Sequence, residues 1–191
     1  MTEKDRRKSF VIEETLMYAS QWMDAVKISY QDEKGEVRSW DCMHRKHHAE
    51  AVIIIPRMVP SGRYILIKQF RPPVAAYILE FPAGLIEPGE TVEQTALREL
   101  KEETGYSGRV LDTTPRLFTS PGTLSEACYF VSMEIDETLE ANQSPQPTPD
   151  SGEFIEVFTI APQSIGDFVE KEIQSGSAVD IKFYTYFMDL S

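Results

Sequence analysis

The sequence predicts an α/β fold, and three observations carry that prediction. Strand-like apolar runs dominate the first two thirds of the chain, "AVIIIPRMV" and "YILIKQF" being the clearest. A helix pattern with its own start and stop signals interrupts them at residues 92–104, and a second amphipathic pattern follows in "PQSIGDFVEKEIQSG". At 191 residues the chain suits one well-packed domain with an appended element.

The opening "MTEKDRRKSF" carries charges with no apolar run behind them, so it does not read as a secretory signal. "WMDAVKISYQ" and "VRSWDCMH" flank "DEKGE" as a hairpin in which Gly35 takes a positive φ. If the turn centres between Glu33 and Gly35, Trp40 pairs near Lys27 to Ser29 and Trp22 lies five to seven residues further along the strand. That is roughly 17 to 23 Å at ~3.3 Å per residue, and an odd offset sets the two rings on opposite sheet faces. His44, His47 and His48 lack the helical i, i+4 pair with a carboxylate partner of a metal site, and read as a solvated loop. A second hairpin is expected from "AVIIIPRMV", "PSGR" and "YILIKQF". "ACYFVSMEI" and "EFIEVFTI" are later strands, separated by the proline-rich loop "ANQSPQPTPDSG", whose length goes with function or disorder. Ile165, Phe168, Val169 and Ile173 share one helix face, closed by Gly176. "AVDIKFYTYFMDL" reads as a last helix, with a strand as the alternative because of its aromatic and β-branched content. The chain has no internal repeat and no low-complexity tract.

Charge narrows the function. A composition of 41% hydrophobic and 26% charged residues is that of a soluble globular protein, and a net charge of -12 argues against a nucleic-acid partner. An anionic substrate must then be met by a few local arginines or by metal ions. No run approaches the ~20 apolar residues of a membrane span. Cys42 and Cys128, far apart and outside any CxxC pattern, point to reduced thiols in a cytoplasmic protein.

The chemistry concentrates in "GLIEPGETVEQTALRELKEETGY", residues 84–106. "EPGE" is a turn, Thr91 and Gln94 form a capping box, and Gly105 sits where a left-handed C-terminal residue belongs, which bounds a helix at residues 92–104. At 100° per residue Val92, Ala96, Leu97 and Leu100 make an apolar arc, with Glu103 inside it and Glu99 at its edge. A solvated face with an Arg98 to Glu102 pair explains Glu93, Lys101 and Glu102, but not two carboxylates on the buried side. Desolvated carboxylates are costly without a cation, and oxygen donors without Cys or His suit Mg2+ or Mn2+.

Gly84, five residues, Glu90, seven residues and then "RELKEETG" from Arg98 to Gly105 resemble the Nudix box, G-x5-E-x7-R-E-U-x-E-E-x-G-U. The one departure is Tyr106, where an aliphatic residue is usual. The resemblance implies an α/β/α sandwich around a mixed sheet. It further implies that Glu99 and Glu103 are metal ligands, that Glu102 supports or joins them, that the Ala83 carbonyl completes the shell, and that Arg98 orients the carboxylates.

"LEFPAG", "KQFRPP", "WDCMHRK", "PDSGEFIEV" and Pro121 of "SPG", sixteen residues after Gly105, are similar to the ADP-ribose and ADP-sugar pyrophosphatase branch. That resemblance implies an N-terminal β-region, residues 1–50, exchanged across a homodimer to help build the partner's site, and a Nudix domain at 51–191. It places Arg71 and Arg45 on the diphosphate or ribose-phosphate side, Trp22 and Trp40 on the base, and Gly84 and Pro121 at the substrate. Glu153 is the implied mobile-loop general base, with Glu156 or a box glutamate as the alternative. The implied reaction is Mg2+-dependent hydrolysis of ADP-ribose to AMP and ribose 5-phosphate. A broader hydrolase of NDP-hexoses is the neighbouring alternative, and a silent ligand sensor the distant one, disfavoured by the complete glutamate set.

Overall fold

A computed structural model describes residues 8–46 and 49–187 and divides the chain into two compact units. Elements are numbered in chain order. The first unit runs to Glu50 and includes Arg116–Cys128. Its three-stranded antiparallel sheet has the order β1 (Phe10–Ala19), β2 (Met23–Gln31) and β3 (Val37–Arg45), and β9 (Leu117–Phe118) pairs with Ala127 and Cys128. β1 was not anticipated. Its residues are exposed throughout, so no alternation of buried and solvent positions marks it as a strand.

Gly35 turns the β2–β3 hairpin with φ +86°. Trp40 stands opposite Ile28, so Trp22 is six residues beyond the pairing position and precedes β2 in the connecting turn. The offset is therefore even, and because Trp22 lies outside the strand, the alternation of faces that underlay the opposite-face expectation does not extend to it; the separation stays at ~20 Å. His44 is not in a loop: it lies on β3, nearly buried, with its Nδ1 4.0 Å from a Glu14 carboxylate oxygen. His47 and His48 fall outside the described residues.

The second unit is a mixed sheet covered by helices. Its strands are β4 (Ala51–Val59), β5 (Tyr64–Arg71), β6 (Ala76–Glu80), β7 (Ala83–Leu85), β8 (Arg109–Thr113), β10 (Ala127–Asp136), β11 (Ile155–Ile160) and β12 (Ala178–Val179). The sheet order is β12-β6-β5-β4-β10-β8, with β11 paired to β5 and β7 to β4; β12 runs parallel to β6, while β5 is antiparallel to β6 and β11. β4 opens on the continuous apolar run Ala51–Ile55 and β5 on Tyr64–Ile67, because both faces of the sheet are covered there. On one face Val52, Ile54, Ile65, Val131 and Met133 pack with Ala96 and Leu100 of α1 (Val92–Thr104). Elsewhere Phe81 and Tyr64 meet Phe183 and Phe187 of α4 (Ile181–Phe187) edge to face. A short α2 (Glu140–Gln143) and α3 (Ile165–Gln174) complete the helices, α3 ending near Gly176 at φ +96° as expected. The last segment resolves into both alternatives, two residues of strand and then helix. No helix among the described residues is long and apolar enough to cross a membrane.

α1 begins and ends where its signals placed it. Its buried face differs from the expected arc: Leu97 is 42% exposed, while Thr95 and Thr104 are buried. Thr104 fits there because its hydroxyl donates to the Leu100 carbonyl at 2.5 Å. Gly105 has φ +75°, and a Cβ on it would sit 2.4 Å from the backbone nitrogen of Gln146. Gly89 has a comparable φ of +92° with no atom within 4 Å of a Cβ. Gly105→Ala should therefore destabilise by more than ~1 kcal/mol, and by more than Gly89→Ala, in denaturant unfolding. Equal losses in the two variants would show that contact with Gln146 adds nothing.

Candidate active site

The site grows from the contact of β7 with α1. At the helix start, Gln94 N–H donates to Thr91 Oγ1 at 3.3 Å and Thr91 N–H to Gln94 Oε1 at 2.9 Å, closing the capping box. Just before it, Glu90 receives Arg98 Nε at 2.8 Å, Arg98 Nη2 at 2.9 Å and the Thr95 hydroxyl at 2.7 Å. Those bonds, Arg98 first and Thr95 next, hold the Glu90 carboxyl down at about 2. Arg98 also donates Nη1 to Glu99 at 2.8 Å and to Glu102 at 3.0 Å, and Nη2 to the Leu85 carbonyl at 3.1 Å. Its guanidinium is thus engaged by three box carboxylates and one backbone carbonyl.

Glu103 is 3% exposed, and its carboxylate accepts the Ala83 N–H at 3.0 Å. Burial pushes its carboxyl up to about 9; the Ala83 bond opposes this, while Glu99, Glu153 and Glu80 reinforce it. Glu99 is also raised, mainly by burial, with Arg98 opposing and Glu102 and Glu153 adding. Gly84 is required by space rather than by φ: a Cβ there would lie 1.8 Å from Glu99 Oε1 and 1.9 Å from its Cδ. The Glu99 carboxylate rests directly on the backbone of β7.

Two desolvated carboxylates that repel one another, with only oxygen donors around them, match the chemistry of a hard divalent cation. Among the described residues no three Asp, Glu, His or Cys side chains are drawn together into a ready-made cage; Arg98 ties Glu99 and Glu102 instead. Glu99, Glu103 and Glu102 are the residues that would hold the ion.

The loop after α2 docks on the far end of α1. Thr148 N–H, between two prolines, donates to the Glu102 carbonyl at 2.8 Å, and Gln146 packs on Gly105. Glu153 follows in a turn rather than opening β11 as expected: its N–H donates to the Asp150 carbonyl at 3.0 Å and its carboxylate accepts the Asp150 N–H at 3.2 Å. Glu153 is close enough to raise both Glu99 and Glu103 electrostatically. Glu156 lies within β11, opposite Lys68 of β5, with its carboxylate 3.3 Å from the Lys68 ammonium.

Arg71, ahead of a 3-10 turn at Pro72–Val74, donates Nε to Glu80 at 2.9 Å. In the first unit, Trp40 donates its indole N–H to the Gly122 carbonyl at 2.7 Å, next to Pro121, while Trp22 is 68% exposed. Arg45 forms an ion pair with Glu126. Sequence reading passed over Glu80, Thr95 and the Gly122 carbonyl. The signal for Glu80 was available: one acidic residue closing the apolar strand "AYILE".

Residues 46–178 match the model of the NUDIX domain. The chain is 36% identical over 193 residues to an ADP-sugar pyrophosphatase of Mus musculus, covering 97% of this chain and 88% of that protein. It is 36% identical over 169 residues to an ADP-ribose pyrophosphatase of Saccharomyces cerevisiae, covering 84% and 73%. A crystal structure of an ADP compounds hydrolase superposes with a TM-score of 0.67 at 25% identity, over 86% of this chain and 84% of the other. With the box glutamates gathered over β7 and the likeness running nearly end to end, the chain belongs to the Nudix hydrolase family.

Proposed function

We propose that this enzyme hydrolyses the diphosphate of ADP-ribose and related nucleoside diphosphate sugars, releasing AMP and a sugar phosphate. The observation that carries the reading is the pair of desolvated carboxylates, Glu99 and Glu103, standing over β7 in a chain 36% identical to an ADP-sugar pyrophosphatase. Nudix hydrolases generally use a divalent metal, and Mg2+ is the ion proposed, held by Glu99, Glu103 and Glu102 with the Ala83 carbonyl. When bound, it screens the diphosphate and lowers the pKa of a water. Arg98 holds Glu99 and Glu102 in place through the reaction. Glu153 takes the proton of the attacking water, a role supported by its position beside Glu99 and Glu103 and by the engagement of Glu156 with Lys68. Arg71 and Arg45 contact the diphosphate or ribose phosphate, with Gly84 and Pro121 lining the substrate. A cytoplasmic setting is part of this reading and rests on Cys42 and Cys128 lying far apart in the sequence, outside any CxxC pattern.

Trp22 and Trp40 stack on the adenine from two different chains of a homodimer. The support is distance: one hairpin separates them by ~20 Å, too far for rings of one chain to sandwich one base.

Incubation with ADP-ribose and a panel of NDP-sugars, with and without Mg2+, should release AMP only with metal; binding without turnover would point to a sensor. Glu99→Gln and Glu103→Gln should each lower kcat by ~10²-fold or more at saturating Mg2+. Glu153→Gln should lose ~10²-fold in kcat with substrate binding retained, and Glu156→Gln should stay near wild type. The reverse ranking of those two variants would assign the base to Glu156.

For the clamp, Trp22→Ala and Trp40→Ala should each raise KM, since stacking on a base contributes ~1–3 kcal/mol. Mixed heterodimers of the two variants should regain up to about half of the high-affinity sites, because one site keeps both rings. No recovery after subunit exchange has been verified by mass spectrometry would contradict a clamp built from two chains.

A further inference from the structure

We infer that Glu80 is a positioning residue that grips Arg71 by its Nε and presents the two terminal amino groups of the guanidinium to the substrate diphosphate. The inference rests on the assignment of Arg71 to the diphosphate made above. Glu80 closes β6 and is 7% exposed, yet it is not among the box carboxylates. Its Oε1 accepts Arg71 Nε at 2.9 Å, the one hydrogen bond of the Arg71 side chain among the described residues. Nη1 and Nη2 remain for two phosphate oxygens, the bidentate pairing that a guanidinium offers and an ammonium does not.

Core stability does not account for the pair. A buried carboxylate tied to an arginine side chain that is 42% exposed gives less than a well-packed apolar residue would. Placement does account for it. Arg71 ends β5 and opens the 3-10 turn at Pro72–Val74, so its backbone is fixed by the turn, while the side chain is fixed by a residue nine positions on. Glu80 also lies within electrostatic reach of Glu103, and of Asp180 and Lys182, which pair with each other at 2.5 Å beside α4. The backbone N–H of Asp180 donates to the Leu79 carbonyl at 3.0 Å, which anchors that pair to β6 next to Glu80. The grip therefore joins the arginine to the same strand end that leads into β7 and the Glu103 contact.

Calorimetric binding of ADP-ribose in EDTA, where no turnover intrudes, tests this with five proteins: wild type, Arg71→Ala, Glu80→Ala, Glu80→Gln and the Arg71→Ala/Glu80→Ala double variant. Arg71→Ala should weaken binding on the order of tens of fold and Glu80→Ala by ~5 to 10-fold; the double variant should be no weaker than Arg71→Ala. Glu80→Gln, whose amide oxygen still accepts Nε–H, should stay within ~3-fold of wild type. With Mg2+, Glu80→Ala should raise KM while kcat changes little. Should Glu80→Ala not fold, Glu80→Met provides the same comparison. If Arg71→Ala weakens binding but Glu80→Ala does not, or if the two losses add, the inference falls while the substrate reading stands. If Arg71→Ala leaves binding unchanged, the assignment of Arg71 falls and the grip with it.

Discussion

The burial of two like-charged carboxylates against a strand backbone is the constraint from which the site follows. Glu103 is turned onto the Ala83 N–H, and Glu99 onto Gly84. Neither placement is favourable alone, because water is lost and the charges repel. The rest of the box reads as what makes that placement tolerable. Arg98, held by Glu90, Thr95 behind it and the Leu85 carbonyl, supplies one fixed positive charge beside Glu99 and Glu102. Arg98 does not reach Glu103, where the proposed cation would supply the missing positive charge. The capping box and Gly105 fix the two ends of the helix, so that the carboxylates keep their register over β7.

That register also bears on the loop that carries Glu153, the proposed base. The proline-flanked Thr148 and the Gln146 backbone touch α1 at its last turn, so the loop carrying Glu153 is measured from the same helix that carries Glu99 and Glu103. Positioning of this kind, rather than unusual reactivity of any side chain, is what catalysis of diphosphate cleavage by electrostatic stabilisation requires.

Much of the catalytic unit was legible in the sequence because it is written in local rules. The helix bounds came from Thr91, Gln94 and Gly105, whose capping chemistry acts within four residues, and the charge at Glu103 stood out because it broke a helical apolar pattern. The covered strands β4 and β5 announced themselves through the apolar runs that open them, Ala51–Ile55 and Tyr64–Ile67. What escaped depends on partners remote in sequence. β1 has no buried side to give it a period, and Leu97 satisfies the helical pattern while packing elsewhere decides that it stays exposed. Glu80 and the Gly122 carbonyl acquire meaning only from Arg71 and Trp40, nine and eighty-two residues away. The Trp22 offset turned on the β2–β3 register, in which Ile28 stands opposite Trp40, and on where β2 begins, which leaves Trp22 outside the strand.

The thermal stability of metal-free protein across pH tests the central claim most directly. With its carboxyl raised from the ordinary 4.5 to about 9, Glu103 holds its proton in the folded state where the unfolded chain has released it. Unfolding then releases a proton between those values, so this site's contribution to stability falls as pH rises through that window. In EDTA, wild-type Tm should fall from pH 6 to pH 8 relative to Glu103→Gln, and Mg2+ at pH 8 should raise wild type while leaving the variant nearly unmoved. Parallel pH slopes and an equal Mg2+ response in the two proteins would contradict the account, reducing Glu103 to a hydrogen-bond acceptor for Ala83.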